Sequence, residues 1–561
     1  MRHPNGYKFK QSKTWLRVSL ILALIRYKHP GMPDDISSVP RWKTKHNPWL
    51  VALTVTLATF MEVLDTSIAN VALPHMAGSL GASLDEATWV LTSYLVASAV
   101  ILPISGWCSN RFGRKRFYMS CVVLFTACSL LCGIAPTLPF LIVARVLQGL
   151  GGGGLAPSEQ AILADIFPPN KRGQAFAVYG MAVVFAPAIG PTLGGWITDN
   201  FNWHSIFFIN LPVGVLSFFL SNRMVEDPPH LIERKKASRH LKVDFMGLGL
   251  VGLGVGLLEF TLDRGQEKDW FSDASIRFSF IAAICLLIFF VFWEWRHPDP
   301  IVDIRLLKNR NFGTSVFLQL ILGTVLFGST VLIPQYLQTL LGYTAERAGM
   351  VLSPAGFVLM AMMMVSGRMV SKVDARAMAA FGYFCTAVGV YNLTRLDLTT
   401  SYEAATLCRI FQVMALPFVF IPISTLNYVG VPIEKNNQIS SLTNFARNIG
   451  GSAGTALLTT FISRTSQTHQ QSLSAKAYSG GLAYSYYLDG IKTILISKGI
   501  SSAQAGQMAV GQAYREMGLQ ATMLSYHNAF VVLSAMLFCL VPLPFVMRLP
   551  KKRPAAAPGG H

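Results

Sequence analysis

Charged residues are scarce in this sequence. Of its 561 residues only 13% are Asp, Glu, Lys or Arg, whereas about a quarter are charged in an average soluble chain. Acids are scarcer than bases, with 28 Asp and Glu against 47 Lys and Arg, and the mean hydropathy is +0.44. This composition excludes a soluble globular domain and indicates an integral membrane protein.

Cysteines and metal-binding clusters are also scarce. The eight cysteines form no pair with the spacing of a zinc ribbon or a redox motif, so we predict that they fill apolar space without a disulfide framework. We find no nucleophile with a matching base and no metal-ligand cluster, which predicts no enzymatic activity and no bound metal. The glycine run GLGGGG at 149–154 lacks a following GK[ST], so close helix packing is favoured over nucleotide binding.

Long apolar runs make up most of the chain. About fourteen runs of roughly twenty residues have few charges and no period-two alternation, which predicts spanning helices rather than a barrel. Their centres lie near residues 61, 99, 127, 151, 186, 213, 253, 285, 324, 356, 386, 416, 451 and 537. A run at 15–25 is too short to span, so it either lies along the bilayer surface or precedes an alternative start at Met32.

The positive charge is unevenly distributed along the chain. A net charge of +19 is compatible with nucleic-acid binding, but the basic residues concentrate in the two terminal segments and in alternate connections between spans. This is the pattern of cytoplasmic loops. It predicts that both termini are cytoplasmic and that nucleic acid is not a partner.

Three short stretches recur in the same order. FAPAIGPTLGG at 185–195 matches FARNIGGSAGT at 445–455, ARVLQG at 144–149 matches CRIFQV at 408–413, and SGWCSNRFGRKR at 105–116 weakly matches SGRMVSKVDARA at 366–377. The offsets stay between 260 and 264 residues. Such repetition is typical of transporters built from two homologous bundles, which here run in the same direction.

The repeats predict a domain organisation. The expected segments are a basic cytoplasmic extension at 1–45, a six-helix bundle at 46–222, a linker with two inserted spans at 223–310, a second six-helix bundle at 311–548 and a cytoplasmic tail at 549–561. Within the second bundle the polar segment 464–525 should lie outside the membrane. Its stretch AQAGQMAVGQAYREMGLQ is rich in helix formers and predicts a helix.

Acids and an arginine fall inside apolar spans. At 1.5 Å per residue, Glu62 lies roughly 20 Å and Asp65 roughly 24 Å into the first span, on the same helix face. Arg145 and Gln148 reach matching depths in the fourth span. An ionised acid at such depth costs about 2.5–3.5 kcal/mol, so these acids either exchange protons in a wet cavity or anchor the arginine. Glu159, further along the fourth span, is expected at the cytoplasmic boundary.

Several motifs stand out between about residues 46 and 548. They are LDTSIANVALP in the first span, GWCSNRFGRKR after the second, RVLQGLGGG in the fourth, GMAVVFAPAIGPTLGG in the fifth, and HSIFFINLPVG, LDRGQEKDWF and PIVDIRLLKNRNF further on. Together they resemble the major facilitator superfamily, and within it the fourteen-span drug:proton antiporters of the EmrB/QacA type. The resemblance implies an all-α integral membrane protein of 14 transmembrane helices, with two six-helix bundles and two inserted helices.

Residue by residue, these patterns suggest three functional groups. The proton-coupling group is Asp65, Glu62 and Arg145. The resemblance implies that the first and fourth spans both line the central cavity, so we predict contact between Arg145 and Asp65 or Glu62. The substrate-cavity group is Asn70, Tyr94, Gln148, Gln319, Gln335, Asn444 and Arg447, where Arg447 either organises the cavity or touches substrate. The conformational-switch group is Gly106, Arg111, Gly113 and Arg114 in the loop after the second span, and Gly190, Pro191, Gly194 and Gly195 in the fifth.

The switch residues admit alternatives. The resemblance implies that the loop at 106–116 latches the closed state, but Asn110 stands where the family usually has an aspartate. The latch is therefore either altered or built with another acid. In the fifth span, the glycines and proline either allow sliding between helices or mark a plain packing kink.

The sequence thus predicts a proton-coupled multidrug efflux antiporter in the plasma membrane, specifically a bacterial inner membrane. It would export lipophilic compounds, cationic or weakly acidic, by alternating access, with the proton gradient as energy source and no cofactor. Alternatives are a dedicated metabolite or siderophore exporter and a non-transporting membrane sensor. Expected partners are small-molecule drugs and the lipid bilayer, and the resemblance adds an EmrA-like periplasmic adaptor and a TolC-like outer-membrane channel.

Overall fold

The computed structural model describes residues 44–229, 231–233, 243–298, 300–477 and 481–549. Within these ranges the regular structure is helical, with no strand, so the predicted all-α class is confirmed for them. Most of the basic extension, positions 234–242 of the linker, the tail from 550 and the run at 15–25 lie outside the described residues.

The first repeat contains seven longer helices. They are α1 Pro48–Ser79, α2 Trp89–Phe112, α3 Arg114–Gly133, α4 Leu138–Gly152, α5 Leu155–Ile166, α6 Pro169–Asn200 and α7 Asn210–Met224, with short helices at Leu84–Ala87 and Ser205–Phe208. Asn47 begins α1 by accepting a hydrogen bond from the Trp49 amide at 3.0 Å, and Pro48 suits the first turn. Gly113 alone separates α2 from α3, and its φ of 92° favours glycine.

The inserted hairpin and the second repeat follow. The hairpin is α8 Phe245–Arg264 and α9 Ala274–Arg296, and the second repeat has α10 Arg310–Thr339, α11 Ala345–Met369, α12 Ala375–Asn392, α13 Tyr402–Val413, α14 Pro417–Leu426, α15 Asn436–Lys476, α16 Leu482–Ser497 and α17 Ser502–Leu540. Short 3-10 helices lie at Trp270–Ser272, Ile304–Lys308, Leu393–Arg395, Ile433–Lys435 and Leu543–Val546. The predicted helix at 503–520 is confirmed as part of α17.

Twelve helices of the described chain are long and apolar enough to cross a membrane. Of the fourteen predicted spans, the two that correspond to α12 and α15 fall short, so the count of fourteen stays a prediction. In α15 the reason is a run of buried polar side chains that face the rest of the protein rather than lipid. These are Asn436, Asn437, Gln438, Ser440, Ser441, Thr443, Asn444 and Arg447.

Equivalent contacts in the two halves confirm the internal repeat. A Cβ on Gly190 or Gly194 of α6 would meet α1 at Ser67 or Ile68, within 3.0 Å. Gly450 and Gly454, 260 residues later on α15, approach α10 in the same way. Likewise the Tyr118 hydroxyl donates to the Val55 carbonyl at 3.2 Å, and the Tyr383 hydroxyl donates to the Leu318 carbonyl at 3.0 Å.

Close packing also accounts for the glycine run at 149–154. A Cβ on Gly149 would lie 2.5 Å from the Tyr94 carbonyl oxygen on α2, and one on Gly151 would lie 2.8 Å from the Phe125 nitrogen on α3. The run therefore lets α4 approach both neighbours, as predicted. It also holds the break between α4 and α5, at Gly153 and Gly154.

The cysteine prediction is wrong at two positions. Cys121, Cys128 and Cys132 are buried, but Cys285 on α9 and Cys539 on α17 are exposed. Both lie on helix faces with other exposed apolar side chains, such as Ile281 and Phe538. An outward face of a membrane helix is itself apolar, so an apolar cysteine needs no buried position there.

The two repeats contact each other mainly along two helix pairs. In the first pair α6 packs along α11, where a Cβ on Gly349 would lie 3.0 Å from Pro191. In the second pair α2 packs against α15, where the Ser441 hydroxyl donates to the Leu102 carbonyl at 2.6 Å.

The inserted hairpin contacts both members of the second pair. On α8, the buried Glu259 accepts a hydrogen bond from Ser452 of α15, and Asp263 accepts one from Thr92 of α2. Trp270, just after α8, donates to Thr460 of α15 at 2.7 Å. The hairpin is therefore bonded to both repeats.

Candidate functional site

Asp65, buried in the middle of α1, accepts hydrogen bonds from three side chains. Its Oδ2 pairs with Nη1 of Arg145 at 2.6 Å, and its Oδ1 accepts from Asn210 at 2.6 Å and from Gln148 at 3.1 Å. The side chains of Asp65 and Arg145 are 1% and 0% exposed. The predicted contact between Arg145 and Asp65 is confirmed, because opposite helix directions place residues of matching depth side by side.

Arg145 is held by neutral neighbours as well. Its Nε donates to the Val90 carbonyl at 3.1 Å, and its Nη1 donates to Gln148 at 2.8 Å. The guanidinium also lies 4.4 Å from the centre of the Tyr94 ring, within cation–π range. Tyr94 fits there because Gly152 has no Cβ, which would lie 2.5 Å from the tyrosine hydroxyl.

Glu62 lies one turn from Asp65 and has different surroundings. It is half-buried, and its Oε2 has no hydrogen-bond partner among the described residues. Electrostatically it interacts with Asp65 on its own helix and with Arg447 of the second repeat. Like charges at this spacing repel each other.

Arg447 joins this acid to the opposite repeat. It donates to Asn444 on α15, and the Asn444 amide donates to Gln160 of α5 at 2.8 Å. Its Nη1 is buried without a partner in the described part of the chain. A cation of the second repeat thus lies near the acids of the first.

The expectation that Glu159 lies at the membrane boundary is wrong. Glu159 is 0% exposed and accepts a hydrogen bond from the buried Thr59 of α1. The depth estimate placed the end of the span near Glu159, whereas the helix continues beyond it to Ile166. Glu159 also interacts electrostatically with Glu62, which makes it a third buried acid of the region.

The other predicted cavity residues do not form one group. Tyr94 and Gln148 belong to the Asp65 cluster, while Asn444 and Arg447 bridge the repeats. Gln319 is buried on α10, donates to Ser424 at 3.3 Å and has its Oε1 without a partner among the described residues. Asn70 and Gln335 are exposed, and no contact joins them to Asp65.

A polar cluster joins the repeats at the end where α1 begins. Arg114 pairs with Asp165 of α5 at 2.7 Å, and its Nε donates to Asn437 of α15 at 2.7 Å. Asn437 donates to Asn110 at 2.7 Å, and Asn436 donates to Asp165 at 2.5 Å. Of the two alternatives for this loop, another acid is therefore present: Asp165 supplies the carboxylate that position 110 lacks.

The predicted switch glycines have different surroundings. A Cβ on Gly106 would lie 2.9 Å from the Asn437 carbonyl oxygen, so Gly106 permits the approach of α15. Gly190 and Gly194 contact α1, whereas Gly195 has open space around it. Pro187 and Pro191 lie inside α6, which stays continuous from Pro169 to Asn200. Arg111 is half-buried beside this cluster.

Sequence reasoning missed several residues of these clusters. Asn210 donates to both Asp65 and Ser129, although it is a lone amide inside the apolar motif HSIFFINLPVG. That isolated polar residue was the available signal. Asp165 and Thr59 carry no comparable signal, because an acid near a helix end and a threonine in a span are both common.

Comparisons with known proteins agree with this geometry. Residues 55–455 match the model of the Major Facilitator Superfamily. The chain is 40% identical over 411 residues to "Multidrug export protein EmrB" of Haemophilus influenzae, which covers 73% of this chain and 79% of that protein. It is 34% identical over 511 residues to "Fatty acid resistance protein FarB" of Neisseria gonorrhoeae, covering 91% and 97%.

A solved structure shares the fold. The human organic anion transporter MFSD10 superposes with a TM-score of 0.56 at 14% identity, covering 88% of this chain and all of the other. At this identity the likeness concerns the fold alone. Together with the matches to the EmrB export proteins, these findings place the chain in the Major Facilitator Superfamily, as a multi-pass, EmrB-like membrane protein.

Proposed function

We propose that the protein is a proton-coupled multidrug exporter that works by alternating access between its two repeats. The observation that carries the proposal is the buried pair of Asp65 and Arg145, with Glu62 one turn away, whose Oε2 has no hydrogen-bond partner among the described residues. The names of the relatives support the substrate class, since one exports multiple drugs and another confers fatty acid resistance. Lipophilic compounds, cationic or weakly acidic, are the expected cargo.

Proton exchange is assigned to the two acids of α1. When both carboxylates are ionised, their repulsion favours binding of either a proton or a cationic compound. Arrival of one then displaces the other, which is the coupling that an antiporter requires. Arg145 holds the Asp65 carboxylate in a fixed geometry.

The proton gradient supplies the energy in this proposal. A single proton that moves down a driving force of about 150 mV releases roughly 3.5 kcal/mol, which sustains a few-hundred-fold gradient of a neutral solute. No nucleotide or other cofactor is required. The residues proposed to contact cargo are Asn70, Tyr94, Gln319, Gln335, Asn444 and Arg447, with Gln148 acting through Asp65.

Alternating access is assigned to the helix pairs between the repeats. The cluster of Arg114, Asp165, Asn110 and Asn437 would separate when the cavity opens toward the cytoplasm. The glycines of α6 would allow α6 to slide along α1 and α11 during the same movement. This assignment rests on small residues and hydrogen bonds, which rearrange at lower cost than an interlocked apolar contact.

The cellular setting follows from the same proposal. Both termini are placed in the cytoplasm and the protein in a bacterial inner membrane. The segment 464–525 then faces the periplasm. An EmrA-like adaptor and a TolC-like channel are the partners proposed for that side.

Proton release on drug binding tests the function. Purified protein in weakly buffered detergent should release protons when a lipophilic cation is added, and both Asp65→Asn and Glu62→Gln should reduce the release. Release from the double variant equal to that from the parent would refute the proposal. A narrow response to one compound in a broad panel would instead favour a dedicated exporter.

A further inference from the structure

The second repeat contains a counterpart of the Asp65 cluster. The 264-residue offset that relates ARVLQG to CRIFQV maps Arg145 onto Arg409, Gln148 onto Gln412 and Asp65 onto Ser329. The hydrogen bonds map in the same way. Arg409 donates through Nη1 to Ser329 at 3.1 Å and to Gln412, and Gln412 donates through Nε2 to Ser329 at 3.1 Å.

The two clusters differ in charge. In the first repeat a carboxylate neutralises the arginine, whereas in the second a hydroxyl stands in its place. Arg409 is 6% exposed, and the described residues bring no carboxylate within ion-pair distance of it. A cation without a counter-ion is unfavourable in a low-dielectric interior.

Arg409 also has N–H groups without an acceptor among the described residues. Its partners are the neutral acceptors Ser329, Gln412 and Thr330, the last at 3.3 Å from Nη2. A guanidinium has five N–H groups, so Nε–H and one N–H of Nη2 remain without an acceptor among the described residues. Guanidinium donors of this kind bind carboxylates and small anions strongly, because the hydrogen bonds are charge-assisted.

We propose that the remaining N–H groups of Arg409, beside Ser329, form a binding site for a small monovalent anion. The anion supplies the negative charge that Asp65 supplies in the first repeat. Its chemistry is that of an inorganic anion such as chloride or of the carboxylate group of an organic acid. Binding to the purified protein does not depend on proton coupling, so the site can be tested independently of the proposed function.

Thermal unfolding of the purified full-length protein provides the test. The midpoint is measured at constant ionic strength while methanesulfonate, a bulky reference anion, is replaced by chloride or by butyrate. The midpoint of the parent should rise saturably with one or both anions, because a ligand that binds only the folded state stabilises it. A response to chloride alone identifies an inorganic-anion site, and a response to butyrate identifies a carboxylate site.

Two substitutions test whether the anion-dependent rise of the unfolding midpoint comes from this site. Ser329→Asp restores the carboxylate of the first repeat, so it should raise the midpoint without added anion and weaken anion binding by about tenfold or more. Arg409→Gln should lose the response as well, and radiolabelled chloride binding to it provides a second measurement if Ser329→Asp does not fold. Ser497→Asp, which adds the same charge at an exposed position of α16, should respond like the parent.

The outcome is decisive in either direction. A parent protein without any saturable anion response, or a response that Ser329→Asp and Arg409→Gln leave unchanged, overturns the proposal. In that case the three neutral acceptors suffice for Arg409, and its role is to hold α13 against α10.

Discussion

Asp65 and Glu62 lie one turn apart on the same helix, yet only Asp65 has a cationic partner in direct contact. Arg145, Gln148 and Asn210 all donate to Asp65, while Oε2 of Glu62 is buried without a hydrogen bond from the described residues. Substitutions at the two acids should therefore have different effects on stability. Measuring stability beside proton release therefore distinguishes an effect on folding from an effect on proton exchange at each acid.

Removal of the Asp65 carboxylate should destabilise the protein strongly. Asp65→Ala leaves Arg145 buried without a counter-ion, at a cost of about 3–5 kcal/mol. The combination of Asp65→Asn with Arg145→Gln removes both charges and should be less damaging than the sum of the two single changes. Thermal unfolding of the four proteins measures the coupling, and strictly additive effects would contradict a direct ion pair.

Removal of the Glu62 charge should change stability little. Glu62→Gln loses no hydrogen bond to Oε2, so a change of at most about 1 kcal/mol is expected. Drug-dependent proton release should nevertheless fall. The same preparation reports both quantities, and a large loss of stability with unchanged proton release would contradict a role for Glu62 in proton exchange.

The buried Glu159 should affect turnover rather than drug affinity. Glu159 interacts electrostatically with Glu62 and accepts a hydrogen bond from Thr59. Thr59 lies about 9 Å along α1 from Asp65. Glu159→Gln keeps a hydrogen-bonding group of the same shape but cannot carry a proton. Transport into proteoliposomes should slow while the equilibrium affinity for drug stays within about twofold of the parent. Equal transport rates for parent and variant would show that Glu159 contributes only to packing.

The glycines of α6 offer a matched pair of substitutions. A Cβ at Gly190 would lie 2.3 Å from Ser67 Oγ, whereas one at Gly195 has nothing within 4 Å. Gly190→Ala should destabilise the protein by about 1–3 kcal/mol through overpacking, and Gly195→Ala should be neutral or slightly stabilising. Thermal unfolding compares them directly. Equal midpoints for the two variants would show that α6 and α1 separate easily.

Position 110 tests the polar cluster between the repeats. Asn437 donates to Asn110, whose own Nδ2 has no partner among the described residues, so Asn110→Asp should replace a neutral hydrogen bond by a stronger charge-assisted one. The rate at which a maleimide, added from the cytoplasmic side, labels a cysteine introduced by Ser441→Cys should fall. Asn110→Leu, similar in size but apolar, should raise this labelling rate. The opposite order would exclude this contact from the latch.

Sequence reasoning succeeded where one regular helix determined the geometry. The rise per residue placed Asp65 and Arg145 at equal depth, and the internal repeat followed from matched glycines. It failed at Glu159 because the helix continues to Ile166, beyond the end that a membrane core of about 30 Å implies. It also missed Asn210 and Asp165, because their partners come from distant helices and only the packed bundle brings them together.

The hairpin of α8 and α9 has a mechanical consequence. Near one end of α2 and α15 the two helices touch each other directly, but toward the other end each is hydrogen-bonded to α8, through Thr92 and Ser452. Any tilt of one repeat against the other must therefore move this hairpin or break one of its two hydrogen bonds to α2 and α15. Because Phe278 and Ile288 of α9 are exposed on its outer face, movement of the hairpin would displace neighbouring acyl chains. The thickness and stiffness of the surrounding membrane thereby enter the energy of every transport cycle.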